Sequence, residues 1–346
     1  MEKYPVKLVP LRLKVITPFS TGGTAYTSRD VWFLQATIND MLCTGEISPL
    51  QGFSNENART ITNDFSKLQD VLPEALRFDK IDYDILFANF SASPAFLSGL
   101  EQLILSASCN HNDSSLDEFR YFSILNNTIP VNAAIGIRDL PIAVKNINTA
   151  IKEGFTCVKL KVGRNNVKDD ISFVTRICEI FGDKITIRLD ANQHWDFAAA
   201  EQFCLALNGA HIQYIEEPLK NPDEIEEFGK VCSIPIALDE SLSSLKNIIS
   251  AYNNPAVDTL VFKPAVMGGI IPTITTISAA MVVNKNITIT SSLDSPIGKR
   301  KAVVLAAITK NLRPAGLDTV RFFKNTGIED IYPVVRGQIK VDRLII

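Results

Sequence analysis

Apolar positions follow two different rhythms along this chain. From Lys7 to Ile16, and again from Val31 to Ile38, they alternate with polar positions, the period-two pattern of a half-buried strand. Leu97, Leu100, Ile104 and Ala107 instead recur at helical spacing and predict a packed helix. Residues 109–118 are polar, hold to neither rhythm and read as a loop or domain edge. After Pro130 the two rhythms interleave. Short β-branched runs fall at 131–136, 157–162, 185–190, 212–216, 234–239, 259–263, 287–292 and, more briefly, 314–317. Amphipathic helical faces lie between them. Val144, Ile147 and Ile151 form one that stops at Gly154, a residue suited to a helix C-terminus. Ile171, Val174, Cys178 and Phe181 form another. A third, with Ala200, Phe203, Cys204 and Leu207, is preceded by Asp196 and runs out at Asn208-Gly209.

Strand–helix alternation implies parallel strands joined by right-handed crossovers. Eight strands in fewer than 190 residues suit a closed barrel, and no G-x-G-x-x-G follows the first strand to favour an open dinucleotide-binding sheet. The expected fold class is α/β, a TIM-like (β/α)7β barrel with an N-terminal α+β capping domain. The expected divisions are a cap over residues 1–125, a catalytic barrel over 126–320, and a segment over 321–346 returning toward the cap.

In such a barrel the active site lies at the C-terminal ends of the strands. Five successive strands finish there on charge: Lys159 and Lys161, then Asp190, Glu216, Asp239 and Lys263. Singly, each acid is an ordinary helix cap or loop residue and each lysine an ordinary surface lysine. Their spacing changes that. Asp190, Glu216, Asp239 and Lys263 are 26, 23 and 24 residues apart, about one strand–helix unit each, so they hold equivalent positions on neighbouring strands. Alternation also sends Lys159 and Lys161 to the same face.

Three carboxylates meeting at one mouth repel unless something positive sits between them. Oxygen donors without His or Cys suit a hard cation, Mg²⁺ before Zn²⁺, with Mn²⁺ as a possible substitute. Lysines beside such a metal suit removal of a proton alpha to a carboxylate, where the metal neutralises the second negative charge of the enediolate. The base must be partly neutral, and burial and a neighbouring ammonium both lower a lysine's pKa.

Composition narrows the partners. Lys+Arg 35 against Asp+Glu 38 gives a net charge of −3, with no basic excess for nucleic acid or an anionic membrane, so a small-molecule substrate is expected. Six cysteines are scattered without a C-x-x-C pair, and Cys178 and Cys204 fall within apolar patterns as buried reduced thiols. With no apolar stretch of membrane-spanning length and no leader-like start, a reducing cytoplasm is the expected compartment. Oligomeric state is left open.

The set K-L-K (159–161), L-D-A-N (189–192), I-E-E-P (215–218), L-D-E-S (238–241) and F-K-P-x-x-x-G-G (262–269) resembles the enolase superfamily, in the order that superfamily shows it. A K-x-K pair with a sixth-strand lysine points to its muconate-lactonising branch. Within that branch, Gly45-Glu46-Ile47-Ser48-Pro49-Leu50-Gln51-Gly52-Phe53-Ser54 is similar to the G-E-I-S-P-L-P-G-F-S loop of the o-succinylbenzoate synthases, with Gln51 in place of proline. Arg188–Asn192 and Gly316-Leu317-Asp318-Thr319 resemble that family's third and eighth strands. The resemblance implies syn-dehydration of 2-succinyl-6-hydroxy-2,4-cyclohexadiene-1-carboxylate to o-succinylbenzoate, a step of menaquinone biosynthesis. It implies Lys161 as base and then acid, Lys159 as its tuner, and Lys263 as stabiliser of the enediolate through a cation–π contact with the substrate ring. Asp190, Glu216 and Asp239 would hold Mg²⁺. Substrate contacts are expected from Arg188 and Gly316, from Ser291 and Ser292 beside the helix start at Pro296, and from two lid loops carrying Ser20, Gly22 and Phe53. An N-acylamino acid racemase or dipeptide epimerase of the same branch is the nearest rival. An epimerase would be expected to carry an Asp-x-Asp pair on the seventh or eighth strand, where Asp294 stands isolated. A barrel that binds an acid without turning it over is the rival from another class.

Overall fold

Each face of the N-terminal sheet is buried over part of its length, and its alternation shows why. The structure, a computed structural model, describes residues 6–346 apart from 22, 23, 39, 78, 79, 82, 120, 121, 138 and 311, and no side chain at 17–25 or 71–83. Strands β1 (Lys7–Thr21), β2 (Thr24–Ile38) and β3 (Met41–Ile47) form an antiparallel meander. On β2, Leu34, Ala36 and Ile38 pack with Phe96, Leu100 and Ile104 of helix Pro94–His111. Val31 and Phe33, out of phase with them, face a second cluster with Leu50, Leu293 and Phe323. The helix can lie against β3 because two glycines meet there. A Cβ on Gly45 would strike the Gly99 carbonyl and the Leu103 amide. The helix runs through His111, so the expected loop at 109–118 begins later, ahead of a single turn at Leu116–Glu118.

Seven parallel strands follow in sequence order: Ala133–Ile135, Cys157–Lys161, Thr186–Asp190, Ile212–Glu216, Ile236–Leu238, Val257–Phe262 and Asn286–Ile289. The expected eighth strand is reduced to isolated bridges, yet it closes the ring. Ala315 bridges Val131 of the first strand's approach, and Gly316 bridges Thr290 beyond the seventh. Outward residues such as Val158, Leu160, Ile187, Leu189 and Ile215 form the core under the surrounding helices. Inward residues on the same strands are Lys159, Lys161, Arg188, Asp190 and Glu216, as period-two geometry requires. Helix signals act locally as their chemistry dictates. Asp196 caps Phe197–Ala206 by accepting from the Ala199 amide at 2.9 Å, and Gly154 follows helix Leu140–Lys152 with φ 87°.

The final segment divides its contacts. Phe323 bridges Val15 and the Lys324 amide donates to the Lys14 carbonyl at 2.7 Å, joining β1. Further on, Gln338–Lys340 pairs antiparallel with Thr128–Pro130, and Tyr332, Ile339, Val341 and Leu344 enter the barrel core. Cys204 departs from the free thiol expected of it. It is disulfide-bonded to Cys232, with Cα atoms 5.3 Å apart, because the helices Phe197–Ala206 and Ile225–Val231 are packed side by side. Among the described residues no helix is long and apolar enough to cross a membrane.

Candidate active site

Pairing register brings the charged strand ends to one level. Lys161 is the Cα partner of Asp190, which is the partner of Glu216 on the next strand. Asp239 and Lys263 follow directly after the fifth and sixth strands. These five and Lys159 surround the floor of a cavity of about 780 Å³ under the cap, and all but the fully buried Glu216 line it.

Each lysine is held by carboxylate. Lys161 Nζ donates to Asp190 Oδ2 and to Asn192 Oδ1, both at 2.6 Å. Lys159 Nζ lies between Glu216 Oε1 at 2.9 Å and Asp190 Oδ2 at 3.1 Å. Lys263 Nζ donates to Asp239 and sits 4.3 Å above the Phe53 ring centroid. Burial works against the Lys159 ammonium, but Glu216 and Asp190 outweigh it and its pKa is raised well above the ordinary value, opposite to the lowering that a K-x-K pair alone would give. Burial likewise opposes the Asp190 carboxylate, yet Lys161 and Lys159 pull its pKa below the ordinary range. Glu216 goes the other way, to about 7, since burial outweighs Lys159 and Asp190 adds repulsion.

The carboxylates next in sequence have separate work. Glu217 is a brace: it accepts from the Asp239 amide at 2.6 Å, from the Ser241 amide and hydroxyl at 2.7 and 2.6 Å, and from Gln193 at 2.9 Å. Burial raises its carboxyl to about 7 against those hydrogen bonds. Glu240 lines the cavity and accepts from Asn192 Nδ2 at 2.7 Å, so Asn192 links it to Lys161. Asn192, Gln193, Glu217 and Leu293 are non-glycine residues with φ of 45°, 57°, 44° and 58°. At Asn192, Gln193 and Glu217 the left-handed backbone is held in place by this hydrogen bonding.

The donor set suits a hard divalent cation in kind. Asp190, Glu216 and Asp239 offer only oxygens, and Glu216 Oε2 is buried with no hydrogen-bond partner among the described residues. Lysine ammoniums stand among the three carboxylates, and among the described residues no three His, Cys, Asp or Glu side chains already converge on one point.

Of the expected substrate contacts, Phe53, Ser291 and Gly316 line the cavity. Ser291 Oγ is 2.5 Å from Thr319 Oγ1, and Thr319 lines the cavity as well. Arg188 and Ser292 are fully buried and do not line it. Arg188 shares its rung with Lys159 and Tyr214, one level below Asp190. Its Nε donates to Gln213 at 2.7 Å and its Nη1 to Asn132 at 3.3 Å and the Pro314 carbonyl at 2.6 Å, with the guanidinium above the Tyr214 ring. Ser292 is fully buried with its backbone carbonyl toward Arg29. Gly22 lies outside the described residues, as does the side chain of Ser20. Tyr26, Leu50, Leu293, Asp318 and Phe322 also line the cavity, and the charge pattern of the strands gave no sign of them.

Residues 143–343 match the family model described as Enolase C-terminal domain-like. Protein PHYLLO, chloroplastic, of Arabidopsis thaliana is 29% identical over 270 residues, 70% of this chain but only 15% of that protein. An o-succinylbenzoate synthase of Aliivibrio salmonicida (strain LFI1238) is 28% identical over 300 residues, 86% of this chain and 84% of the relative. A dipeptide epimerase from Enterococcus faecalis V583, complexed with Mg and the dipeptide L-Leu-L-Tyr, matches in structure with a TM-score of 0.86 at 19% identity, over 99% of this chain and 98% of that one.

Proposed function

Since this chain belongs to the Enolase C-terminal domain-like family and is an enzyme of the enolase superfamily, we propose that it is an o-succinylbenzoate synthase, dehydrating the cyclohexadiene carboxylate named above in menaquinone biosynthesis. The observation that carries this reading is Lys161, held between Asp190 and Asn192 at the floor of the cavity that Lys263 enters from the sixth strand. The two strands stand opposite each other in an eight-position ring. Similarity to a synthase over most of both chains, cap included, supports the choice of substrate.

Lys161 Nζ takes the proton alpha to the carboxylate, and the C–H electron pair moves into that carboxylate. The same Nζ then returns the proton to the departing hydroxyl on the same face. Water leaves and the ring becomes aromatic, so atoms and charge balance. Asp190, Glu216 and Asp239 would hold Mg²⁺, which when bound supplies Lewis-acid neutralisation of the doubly charged carboxylate. Lys159 keeps its ammonium beside that charge, and Lys263 adds positive charge from across the ring. The cap excludes water with Tyr26, Leu50 and Phe53.

Purified protein incubated with the cyclohexadiene substrate and Mg²⁺ is expected to form o-succinylbenzoate, and EDTA to stop it. No metal-dependent product would sink the proposal. A racemase or epimerase is the second reading, since Lys161 and Lys263 could serve as opposed bases. Against an epimerase, Asp294 is already taken by Ser48 Oγ at 2.7 Å and the Ser292 amide at 3.0 Å. Asp318 is paired with Arg321 at 2.8 Å. Deuterium exchange into N-succinyl amino acids or dipeptides faster than dehydration would favour that second reading.

A further inference from the structure

Two carboxylates from the cap are buried at the starts of two barrel helices. Glu46, at the end of β3, meets helix Pro296–Ile308: its oxygens accept from the Ser295 and Gly298 amides, each at 3.0 Å, and from the Ser295 hydroxyl. Glu101 meets helix Ile270–Val282 in the same way, accepting from the Ile271 amide at 3.0 Å and from the Ile270 amide. First-turn amides have no partner within their own helix, so an outside carboxylate suits them. The fit leaves no slack. A Cβ on Gly298 would lie 2.6 Å from Glu46 Oε1.

The seam at Glu46 is clamped further. Arg29 donates to the carbonyls of Ser48 at 3.0 Å and Ser292 at 3.2 Å, and to that of Pro49. Ser48 Oγ donates to Asp294, and Lys301 Nζ to the Glu46 carbonyl at 2.8 Å. Glu46, Arg29, Ser48 and Asp294 do not line the cavity, yet what they hold together does. Leu50 and Phe53 come from the cap side and Ser291 and Leu293 from the barrel side. Leu293 keeps its left-handed φ of 58° while packed in one cluster with Leu50 and Phe53.

We propose that Glu46 is a positioning residue for substrate recognition. By docking the cap loop on the helix after the seventh strand, it fixes Phe53 against Lys263 and Leu50 beside Leu293. This rests on the catalytic reading of the cavity given above.

Glu46→Gln replaces one acceptor oxygen by an NH₂ group that must face amide donors, while conserving volume. In the full-length protein its KM for the cyclohexadiene substrate is expected to rise about tenfold, with kcat within about threefold of the parent. Amide hydrogen exchange at Leu50, Phe53 and Ser54 is expected to quicken about tenfold, while exchange at 186–190 stays unchanged. Those loop amides are hydrogen-bonded within the loop itself, to Ser54 Oγ and the Leu50 carbonyl, so the change is readable. Because Glu46 acts in part through Phe53, the double variant Glu46→Gln/Phe53→Ala should show a KM rise smaller than the product of the two single rises. An unchanged KM in folded Glu46→Gln, or additive effects in the double variant, overturns the proposal; a lowered melting temperature with parental kinetics means a merely structural role and overturns it too. If Glu46→Gln does not fold, Ser295→Ala removes one partner of the same carboxylate and should give a KM rise of about threefold. Absence of o-succinylbenzoate from the parent protein would defeat the functional reading instead. Hydrogen exchange needs no substrate and would still decide the positioning role, unchanged exchange at 50–54 contradicting it.

Discussion

The two halves of the barrel mouth are built from different materials. From the second to the sixth strand charge meets charge, and Lys159, Lys161 and Lys263 are each held by a carboxylate from another strand. Along the seventh strand and residues 315–319 the lining is neutral apart from Asp318, which Arg321 holds at 2.8 Å, with Thr290, Ser291, Leu293 and Gly316, and the cap packs against it. Charges fixed at strand ends can move a proton, but they suit any carboxylate with an acidic neighbouring carbon. A neutral half whose outer wall comes from another domain can choose among such acids. Chemistry and choice are therefore separable by substitution.

The sharpest break in that comparison is Lys161→Ala. It is expected to lower kcat by roughly 10²–10⁴-fold with an unchanged circular dichroism spectrum, since the general base is gone. Asn192→Ala, in the charged half but one step from the reacting carbon, should lower kcat about tenfold through loss of the oxygen that accepts from Lys161 Nζ. Steady-state kinetics check both, and a pure KM effect for Asn192→Ala would place it in the wrong half. Ser291→Ala, in the neutral half, should raise KM about fivefold and leave kcat alone, the size of one neutral hydrogen bond. Reduction of Cys204–Cys232 should change neither constant. That bond spans 28 residues on the outer helices, and its loss should cost about 3 kcal/mol, read as a lower melting temperature with dithiothreitol.

How much was legible follows the same division. The charged half was readable because each strand–helix unit spends about the same number of residues, so Asp190, Glu216, Asp239 and Lys263 recur at near-equal intervals. Alternation told which face a residue takes but not its depth. Arg188 was therefore expected in the site, although on the same rung as Lys159 its guanidinium turns to Gln213, Asn132 and the Pro314 carbonyl. Ser291 and Ser292 looked alike in sequence, and the chain direction at a left-handed Leu293 separates them. Asn192 was visible as part of L-D-A-N, but its bridge from Lys161 to Glu240 depends on a loop conformation that no periodicity encodes. Tyr26, Leu50 and Glu46 act across the domain seam, and the disulfide joins neighbouring helices; both rest on packing between segments far apart in sequence.

The central claim is that the charged half, through Lys161, breaks a carbon–hydrogen bond alpha to a carboxylate. Its most direct test is turnover of substrate deuterated at that carbon, measured as o-succinylbenzoate formed with Mg²⁺ by the parent protein, Lys161→Ala and Ser291→Ala. Expected are a primary isotope effect on kcat/KM in the parent, near-parental kcat in Ser291→Ala and product formation at least about 10²-fold slower from Lys161→Ala. Product formed by Lys161→Ala at close to the parental rate would contradict it.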